Sequence, residues 1–506
     1  MRLIRIFGDF INYVKNLKLT DIEKDCRKFF KSNLIDSLDT NYILLLPLQN
    51  DIATMKLSFF LAQEVNNYYN LSVQYFYVGS AVDSYSLYQN HSKVRRLYYL
   101  TKYKLSLFKD CYIFNINLKD VIASNYHSFS YLRSIEFKNK EDLLKFEYQG
   151  ILIGDLIYDH YLRFYSTPTV DLKDTYLHDI VGYALGLVDY WHSIYSKRNI
   201  KVVSIPYTAY LHWGIVSRVG MSFGVEIFNY GSPLYMFQKL NANHIYHSKN
   251  FKKYKSYWTK LNNKLERLKL AEISLTNRLN GGVSDISYMK ISSFVRTSQN
   301  IITTNSRNNI VIFLHCFFDS PHIYGGGLFV DFYEWLDFLL NTASRNSSVT
   351  YFVKQHPNGV EGNFEVVESF KKKYSEFSNI VFLDIEVSNL DIQDLKPSLI
   401  VTYYGTVAQE FSYLGFPVVL CGDSPMKYYG FTYQPEKISD LEEILQNVGD
   451  IKLPMGYDKE EILEFYYMHY LYYSRDLNAS NFQFSKNFVS GELSFTHYDQ
   501  FRQLLF

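Results

Sequence analysis

Cysteine, net charge and long apolar runs are all scarce in this chain. The 506 residues include four cysteines, which lie far apart and form no CxxC pair, so neither a disulfide framework nor a zinc-binding pattern is indicated. The 52 basic and 51 acidic residues leave a formal net charge of +1, which gives no global field for nucleic acid or an anionic membrane. We therefore expect reduced thiols, no nucleic-acid partner and local recognition of any phosphate.

The chain also lacks the segments that carry proteins into or across membranes. No stretch approaches the roughly 18 apolar residues of a membrane span, and the first residues lack the apolar run of a secretory signal. Residues 1–19 instead place Leu3, Phe7 and Phe10 on one side of a predicted helix. Such a helix packs on its own domain or lies on a membrane surface. A cytoplasmic location is predicted, with the cytoplasmic face of the inner membrane as the alternative.

Short apolar runs alternate with helical patterns twice along the chain, before about residue 235 and again after residue 305. This alternation predicts an α/β protein with two Rossmann-like domains, each built on a largely parallel sheet. The predicted strands are Tyr42–Leu48, Val73–Val78, Cys111–Ile116, Gly150–Ile153, Lys201–Ile205, Val225–Asn229, Ile310–Cys316, Thr350–Gln355, Ile380–Asp384, Leu399–Thr402 and Val418–Cys421.

This pattern predicts that the chain is divided into four segments. Residues 1–235 are predicted to form an acceptor-binding and catalytic domain, and residues 306–455 a nucleotide-sugar-binding domain. Between them, residues 236–305 are rich in Lys, Asn and Ser and contain one clear helical pattern, Leu265–Leu279, so they are predicted to be an interdomain connection. Residues 456–506 are predicted to be a helical tail that crosses back to the first domain.

The strongest nucleotide-binding signals lie in the second half. Lys354 and His356 follow a predicted strand, where a doubly wound sheet gathers ligand groups, and they offer a cation and a donor to a phosphate or ribose. About fifty residues later, a strand ending at Thr402 leads through Gly405 and Thr406 into a helix that contains Glu410. Here the glycine permits close approach to a ligand, the helix start favours an anion, and the glutamate can accept ribose hydroxyls.

A further polar block, Leu314–Phe329, ends a strand and contains three consecutive glycines before a helix. The glycines, among them Gly326, allow the backbone to approach a ligand closely. His315, Asp319 and His322 suggest a metal at first sight, but no fourth ligand stands nearby in the sequence. We therefore predict that they form hydrogen bonds to the donor, and that no metal is required.

The first half offers candidates for catalysis. Asp155, Asp159 and Arg163 are spaced four residues apart, so they share a face if the segment is helical. Such a group could supply a nucleophile or general base together with a positioning cation. His212 follows another predicted strand and is a further candidate for proton transfer. An ordinary Asp/Arg pair on a helix surface is the alternative for this group.

Three blocks together resemble bacterial capsule and O-antigen biosynthesis glycosyltransferases related to the retaining β-Kdo transferases. They are HxFxDxPHxxGxxLFxDxYxWL at His315–Leu336, KxHP at Lys354–Pro357 and GTxxxExxxxGxP at Gly405–Pro417. The segment Asp159–Arg163 is similar to the Glu-Asp-Gly-Phe-Leu-Arg-Ser motif of those transferases in its Asp, aromatic, Leu and Arg. It departs from the motif in having Tyr158, His160 and Phe164 at the Glu, Gly and Ser positions.

The resemblance implies a GT-B-like fold, with two Rossmann-like domains facing each other across a cleft, and a CMP-activated ulosonic acid such as CMP-Kdo as donor. The single phosphate of this donor would be bound by Lys354 and the Gly405–Thr406 turn without a metal. Asp159 would attack the anomeric carbon, with net retention, while Asp155 or His212 manages protons. The implied partners are a glycan or glycolipid acceptor, the inner membrane and other polysaccharide-assembly enzymes.

Three alternatives remain open at the level of sequence. One is a GT-B transferase that uses a UDP- or GDP-sugar and inverts configuration, with Asp155 or Asp159 as a simple base. Another is a polyol-phosphate transferase of the teichoic-acid type, which would release CMP from a CDP-polyol. The third is an assembly scaffold that keeps the fold without catalysis. The nucleotide that binds and the group that is transferred distinguish them.

Overall fold

The structure is a computed structural model of the chain. It describes residues 131–229, 238–248, 250–283, 292–296, 306–356 and 362–472, and the backbone of three strands nearer the N-terminus. The helix predicted in residues 1–19 and the tail beyond residue 472 lie outside the described residues. Within the described part, none of the helices is long and apolar enough to cross a membrane.

The chain divides into two compact units. The first holds the described residues up to Tyr165 together with Leu172–His247, and the second holds Ser166–Asp171 and the chain from Ser248 onwards. Residues 236–305 were expected to connect the two domains. Instead, the described residues of this segment from Ser248 onwards are folded into the second unit. The short segment Ser166–Asp171 joins the second unit although the residues on either side of it belong to the first.

The first unit contains a six-stranded sheet. In chain order its strands are β1 (Ile43–Pro47), β2 (Ser72–Val78), β3 (Tyr112–Ile116), β6 (Ile200–Ile205), β7 (Glu226–Asn229) and β8 (Gln238–Lys239), and a separate hairpin supplies β4 (Glu147–Tyr148) and β5 (Ile151–Leu152). The order across the sheet is β3-β2-β1-β6-β7-β8, parallel throughout except for the edge strand β8. In register, Leu45 of β1 pairs with Gln74 and Val203.

One predicted strand pairs with a different strand from the one expected. Gly150–Ile153 was expected in the parallel sheet, whereas Ile151–Leu152 pairs antiparallel with Glu147–Tyr148 as a hairpin of its own. The two turn residues, Gln149 and Gly150, have φ of 52° and 73°. Positive φ at both positions is the backbone requirement of the tightest hairpin turns. Gln is not a residue that signals such a turn, so the sequence pattern concealed it.

The described residues of the first unit contain the helices α1 (Lys140–Leu144), α2 (Gly154–Tyr165), α3 (Thr175–Lys197) and α4 (Tyr210–Ser222). Most of α2 is buried, because α1, α3 and α4 all pack against it. Two glycines permit this close packing: a Cβ at Gly154 would lie 1.8 Å from the Leu143 carbonyl oxygen, and one at Gly214 would lie 2.4 Å from Leu156. The helix that carries Asp155 and Asp159 is therefore held rigidly inside the unit.

The second unit contains a five-stranded parallel sheet. Its strands are β9 (Asn308–Phe313), β10 (Val349–Lys354), β11 (Ile380–Phe382), β12 (Leu399–Thr402) and β13 (Val418–Leu420), in the order β11-β10-β9-β12-β13. The parallel strands of the two units thus share the order third, second, first, fourth, fifth, which is the Rossmann-like arrangement. This confirms the predicted α/β class with two Rossmann-like domains.

Helices cover both faces of the second sheet. They are α5 (Tyr254–Thr259), α6 (Lys264–Leu279), α7 (Phe332–Ser344), α8 (Asn363–Lys373), α9 (Asn389–Leu395), α10 (Val407–Tyr413), α11 (Ile438–Gln446) and α12 (Lys459–Tyr466), which continues as a π-helical turn, Tyr467–Leu471. Residues of α7, α8 and α11 form the core on one face, and residues of α5, α6, α9, α10 and α12 form it on the other.

The two ends of the second unit's chain meet on that second face. Helix α6 packs against α12, and the Tyr254 hydroxyl lies 2.9 Å from His469 Nδ1. The Lys255 ammonium lies 2.6 Å from Glu461 Oε1. The predicted connection and the described beginning of the predicted tail therefore share one core within the second unit.

Tyr403, directly after β12, is enclosed by glycines. Its hydroxyl donates to the Phe329 carbonyl oxygen at 2.6 Å. A Cβ at Gly327 would lie 2.0 Å from the Tyr403 hydroxyl oxygen, and one at Gly422 would lie 2.3 Å from the ring, whereas a Cβ at Gly326 would meet nothing within 4 Å. Core packing therefore explains at least one of the three consecutive glycines.

We predict that Gly327→Ala lowers the free energy of unfolding by about 1–3 kcal/mol, because the added methyl group displaces a buried tyrosine. Gly326→Ala is the matched control and should change stability little. Urea unfolding of the full chain, followed by circular dichroism, compares the two variants. Equal losses in both would contradict the assignment of Gly327 to the packing of Tyr403.

Candidate functional site

The second unit has a switch point between β9 and β12, where the strand order reverses. In open α/β sheets, ligands bind in the crevice outside the carboxyl ends of the strands at such a point. His315 lies just beyond the end of β9, Lys354 ends β10, and Thr402 ends β12. The structure therefore places three of the predicted donor-binding residues at one edge of one sheet.

His315 is bound into the turn that follows β12. The Tyr404 N–H donates to His315 Nε2 at 3.2 Å, and Thr402 Oγ1 lies 3.2 Å from the same nitrogen. Because a backbone N–H donates to Nε2, the ring carries its proton on Nδ1. Burial lowers the pKa of His315 to about 3, so the ring is neutral at physiological pH. Nδ1 makes no hydrogen bond with any described residue, which leaves it as a donor for a ligand.

The same turn explains the glycine at position 405. The Gly405 N–H donates to Thr402 Oγ1 at 3.3 Å, and a Cβ at Gly405 would lie 2.8 Å from that oxygen. A larger residue would push the turn away from Thr402 and His315. The local sequence thus folds the chain tightly over the end of β12, as predicted, and brings its backbone to the switch point.

Lys354 is a buried cation that has no hydrogen-bond or ion-pair partner in the described part of the chain. Its side chain is almost fully enclosed, with 3% of the residue exposed, and within the described chain its ammonium makes no hydrogen bond or ion pair. Burial lowers the pKa of Lys354 to about 8, against the opposing effect of the Asp391 and Glu386 carboxylates. At neutral pH the group remains mostly charged. A buried, charged and unpaired ammonium is costly unless an anion binds to it.

Glu410 is paired with an arginine that sequence reasoning missed. Arg278, on α6, places its Nε 2.6 Å from Glu410 Oε1 and its Nη2 3.2 Å from Thr406 Oγ1. Both charged residues are buried, with 6% of Arg278 and 2% of Glu410 exposed. A positive group therefore lies beside the Gly405–Thr406 turn. The predicted ribose contact of Glu410 remains a prediction, and one of its two oxygens is already engaged.

The glycine-rich block has its own internal partner. Gly325 has a φ of 121°, and the Gly326 N–H donates to Asp423 Oδ2 at 3.2 Å. Lys427 in turn contacts the Asp423 carboxylate. An anionic ligand at this turn would meet a carboxylate, so the predicted contact of Gly326 with the donor requires a neutral part of that ligand.

The remaining predicted residues of the second unit differ in their surroundings. Asp319 is exposed and accepts a hydrogen bond from the Ser320 N–H at 2.9 Å, while His322 is buried. Desolvation lowers the pKa of His356, and the nearby Asp319 carboxylate opposes that shift. Among the described residues, no group of three His, Cys, Asp or Glu side chains is arranged to hold a metal.

In the first unit, Asp155 forms a buried bidentate ion pair with Arg218 of α4. Arg218 Nη1 and Nη2 donate to the two carboxylate oxygens at 2.6 and 2.7 Å, and the Tyr246 hydroxyl donates to Oδ2 at 3.1 Å. The Leu156 N–H adds a further bond at 2.9 Å. With its oxygens occupied in this way, Asp155 anchors α2 against α4. Its role in proton transfer remains a prediction.

Asp159 and Arg163 follow on the same face of α2, as the spacing predicted. Asp159 is buried, with 3% of its surface exposed, and its charge contributes to raising the pKa of Arg218 even though desolvation opposes the rise. Arg163 is half-buried near the end of the helix. The helical interpretation of this segment is confirmed, and Asp159 lies in the field of the Asp155–Arg218 pair.

His212 stands near a second buried histidine, His160. The ring centroids are 6.5 Å apart, and the Phe164 ring lies 4.3 Å from His160. Within the described chain, neither ring nitrogen of His160 has a hydrogen-bond partner, and neither has Nδ1 of His212. Burial lowers the pKa of His212 to about 3 and lowers that of His160 as well. Both rings are therefore neutral at physiological pH.

Comparison with known proteins gives matches to solved structures alone. Neither a protein-family model nor a curated protein matches the chain. The KpsC β-Kdo 2,4 transferase of Thermosulfurimonas dismutans is similar with 13% identity and a TM-score of 0.33, over 54% of this chain and 81% of that one. The UDP-GlcNAc 2-epimerase of Methanocaldococcus jannaschii has 10% identity and a TM-score of 0.27, over 84% and 98%.

The wall teichoic acid polymerase TagF is similar with 12% identity and a TM-score of 0.22, over 98% of both chains. The resemblance to β-Kdo transferases is thus matched by a structural neighbour of that kind, and a second KpsC transferase is also similar. Values this low carry no argument about activity. What the site can do therefore rests on the residues and distances described above.

We predict that Asp155→Ala destabilises the first unit by about 3–5 kcal/mol, because it leaves the Arg218 guanidinium buried and uncompensated. The double variant Asp155→Leu/Arg218→Met removes both charges and should recover much of that loss. Urea unfolding monitored by circular dichroism measures both. Wild-type stability in Asp155→Ala would show that the carboxylate is not needed to anchor α2.

Proposed function

We propose that this protein is a glycosyltransferase that transfers a Kdo-like ulosonic acid from a CMP-activated donor to a growing bacterial surface glycan, in a capsule or an O-antigen. The observation that carries the proposal is the ammonium of Lys354, a residue only 3% exposed at the carboxyl edge of a Rossmann-like sheet, which has no hydrogen-bond or ion-pair partner among the described residues. The Nδ1 donor of His315 and the tight Gly405 turn lie at the same edge of the sheet. A ligand that satisfies all three has an anionic group and hydroxyl or carbonyl acceptors, as a nucleoside monophosphate ester does.

Each proposed donor-binding residue contacts the part of the donor that suits the charge of its side chain. Lys354 meets the phosphate, and Arg278 adds positive potential beside Thr406. His315, being neutral, donates a hydrogen bond without adding a charge. Glu410 accepts a ribose hydroxyl with the oxygen that Arg278 leaves open. His356, Asp319, His322 and Gly326 contact hydroxyl groups of the sugar part, away from its carboxylate. A donor with one phosphate requires no divalent metal in this scheme, because Lys354 supplies the compensating charge.

The proposed chemistry assigns the nucleophile to the first unit. An Asp159 oxygen attacks the anomeric carbon, and the bond from that carbon to the phosphate oxygen breaks, so that CMP leaves with the electron pair. The acceptor hydroxyl then displaces Asp159 and loses its proton. Two displacements retain the configuration of the donor. Arg163 balances the carboxylate charge between these steps.

His212 is proposed to receive the acceptor proton. Its pKa of about 3 keeps the ring neutral and able to accept a hydrogen bond, but makes it a weak base. Proton transfer should therefore accompany or follow the formation of the new carbon–oxygen bond, when the oxygen has become acidic. Asp155 contributes by fixing α2 through Arg218 rather than by exchanging protons itself.

We expect CMP to raise the melting temperature of the full chain more than CDP, UDP or GDP does. Lys354→Met should abolish the CMP effect, because the phosphate loses its cation, and a loss of at least tenfold in affinity is expected. Lys372→Met, which changes an exposed lysine on α8, is the matched control. A larger response to UDP or GDP would favour a hexosyltransferase, and no response to any nucleotide would favour a non-enzymatic scaffold.

Asp159→Asn should prevent formation of a covalent glycosyl-enzyme while leaving the CMP-induced thermal shift intact. Intact-protein mass spectrometry after incubation with CMP-Kdo in the absence of acceptor detects the adduct in wild type. Asp179→Asn, an exposed change on α3, should behave as wild type. An adduct in Asp159→Asn would remove this residue from the nucleophile's role. Transfer of a polyol phosphate from a CDP-polyol would identify the teichoic-acid-type reaction instead.

A further inference from the structure

A cavity of about 470 Å³ opens on the second unit, on the side of the sheet covered by α7 and α8. Its volume falls within the roughly 300–1,000 Å³ typical of small-molecule sites. The residues that line it include Ser166 of the segment Ser166–Asp171, Phe318 after β9, Tyr333 on α7, and Glu365 and Ser369 on α8. Lys354 and Thr402 point to the other side of the sheet, because their strand neighbours Val353 and Val401 belong to the α7/α8 core.

The wall formed by Ser166–Asp171 is held in place by a buried carboxylate. Thr169, which also lines the cavity, donates its hydroxyl hydrogen to Asp331 Oδ2 at 2.5 Å. Asp331 is fully buried and caps α7 by accepting from the Glu334 N–H at 2.8 Å. Ser166 itself has a φ of 52°, an uncommon conformation for a residue with a side chain. The segment is therefore tied to the start of α7 through Thr169 and Asp331.

The charges at the cavity exclude most anionic ligands. No Lys, Arg or His is among the described residues that line it. The charged side chain there is Glu365, whose carboxylate is exposed and makes no hydrogen bond or ion pair within the described chain. A phosphate or a sugar acid would be repelled by this carboxylate. A ligand with hydroxyl donors would instead form charge-assisted hydrogen bonds with it.

The remaining lining suits a carbohydrate ring. Tyr333 is half-exposed, and its ring is braced by Phe370 at 4.7 Å between centroids, so it offers a rigid amphipathic surface at little entropic cost. Ser166 and Ser369 add hydroxyl groups to the lining. An aromatic surface flanked by hydroxyl and carboxylate oxygens fits a sugar, which has an apolar face and a rim of hydroxyl groups.

We propose that this cavity binds a neutral saccharide unit of the glycan acceptor. The inference deepens the proposed function and rests on it for the word acceptor, but the saccharide site itself requires the cavity alone. It assigns acceptor recognition in part to the second unit, whereas the sequence pattern assigned it to the first. It also predicts that the recognised unit carries no carboxylate or phosphate.

Saturation-transfer NMR on the full chain tests the proposal with lactose, N-acetylglucosamine and methyl β-galactopyranoside as neutral probes, and with Kdo and N-acetylneuraminic acid as acidic ones. We expect a neutral probe to bind and the acidic probes to give no signal above background. Ser369→Trp fills the cavity and should weaken binding at least tenfold. Ser375→Trp makes the same change at an exposed serine just beyond α8 and should leave binding unchanged.

Glu365→Gln keeps the shape of the side chain and should weaken binding about tenfold, because a charge-assisted hydrogen bond becomes a neutral one. This variant keeps the test valid if Ser369→Trp does not fold. Absence of binding by every neutral probe would overturn the proposal, as would equal binding by Ser369→Trp or preference for the acidic probes. The CMP-induced thermal shift of Ser369→Trp, measured on the same sample, reports separately on the proposed donor site.

Discussion

The hydrogen bonds that join His315 to the turn after β12 hold the switch point of the second unit together. Strands β9 and β12 lie side by side, and the Thr402 hydroxyl at the end of β12 donates to the Phe313 carbonyl oxygen at the end of β9 at 3.3 Å. His315 Nε2 accepts the Tyr404 N–H and lies against Thr402 Oγ1, so one neutral ring ties the two loops. The Phe332 ring stacks on it at 4.9 Å and 18°. This arrangement fixes the tautomer and determines where Gly405 can bring its backbone.

The distribution of buried charge separates residues that support the fold from those that await a ligand. Asp155 with Arg218 and Glu410 with Arg278 are buried pairs whose attraction and hydrogen bonds offset their desolvation. Lys354 is equally buried and has no such partner within the described chain. Natural proteins tolerate an uncompensated buried charge where it performs a function. The contrast favours Lys354 as a ligand-binding residue more strongly than its position at a strand end does.

Sequence reasoning succeeded where local patterns determine structure. Apolar runs located the parallel strands of both sheets, and the rule that ligand groups gather at carboxyl ends brought His315, Lys354 and Thr402 to one edge. It failed where the decisive contact is distant in sequence. Arg278 lies 132 positions before Glu410, in a segment whose polar composition suggested a connection.

Arg218 shows what signal was available. It interrupts an otherwise apolar stretch of α4, and a lone arginine in a buried helix requires an acid partner. The partner, Asp155, is 63 residues away, so only the fold could identify it. The hairpin at Gln149–Gly150 was missed for a different reason, since Gln149 adopts a positive φ that its residue type does not signal.

The block His315–Leu336, on which the resemblance to β-Kdo transferases depends most, proves to be mainly architectural. Gly327 makes room for Tyr403, Trp335 and Leu336 are fully buried in the core, and Asp331 caps α7 while binding Thr169. A shared pattern of this kind is maintained by packing whatever sugar is transferred, so it supports the fold more than it supports the donor. Within the block, His315 Nδ1 is one donor that makes no hydrogen bond with any described residue. Evidence for a CMP-linked sugar must therefore come from the binding of a nucleotide by Lys354 and His315. The identity of the nucleotide that stabilises the chain tests the proposed donor more directly than further sequence similarity to β-Kdo transferases does.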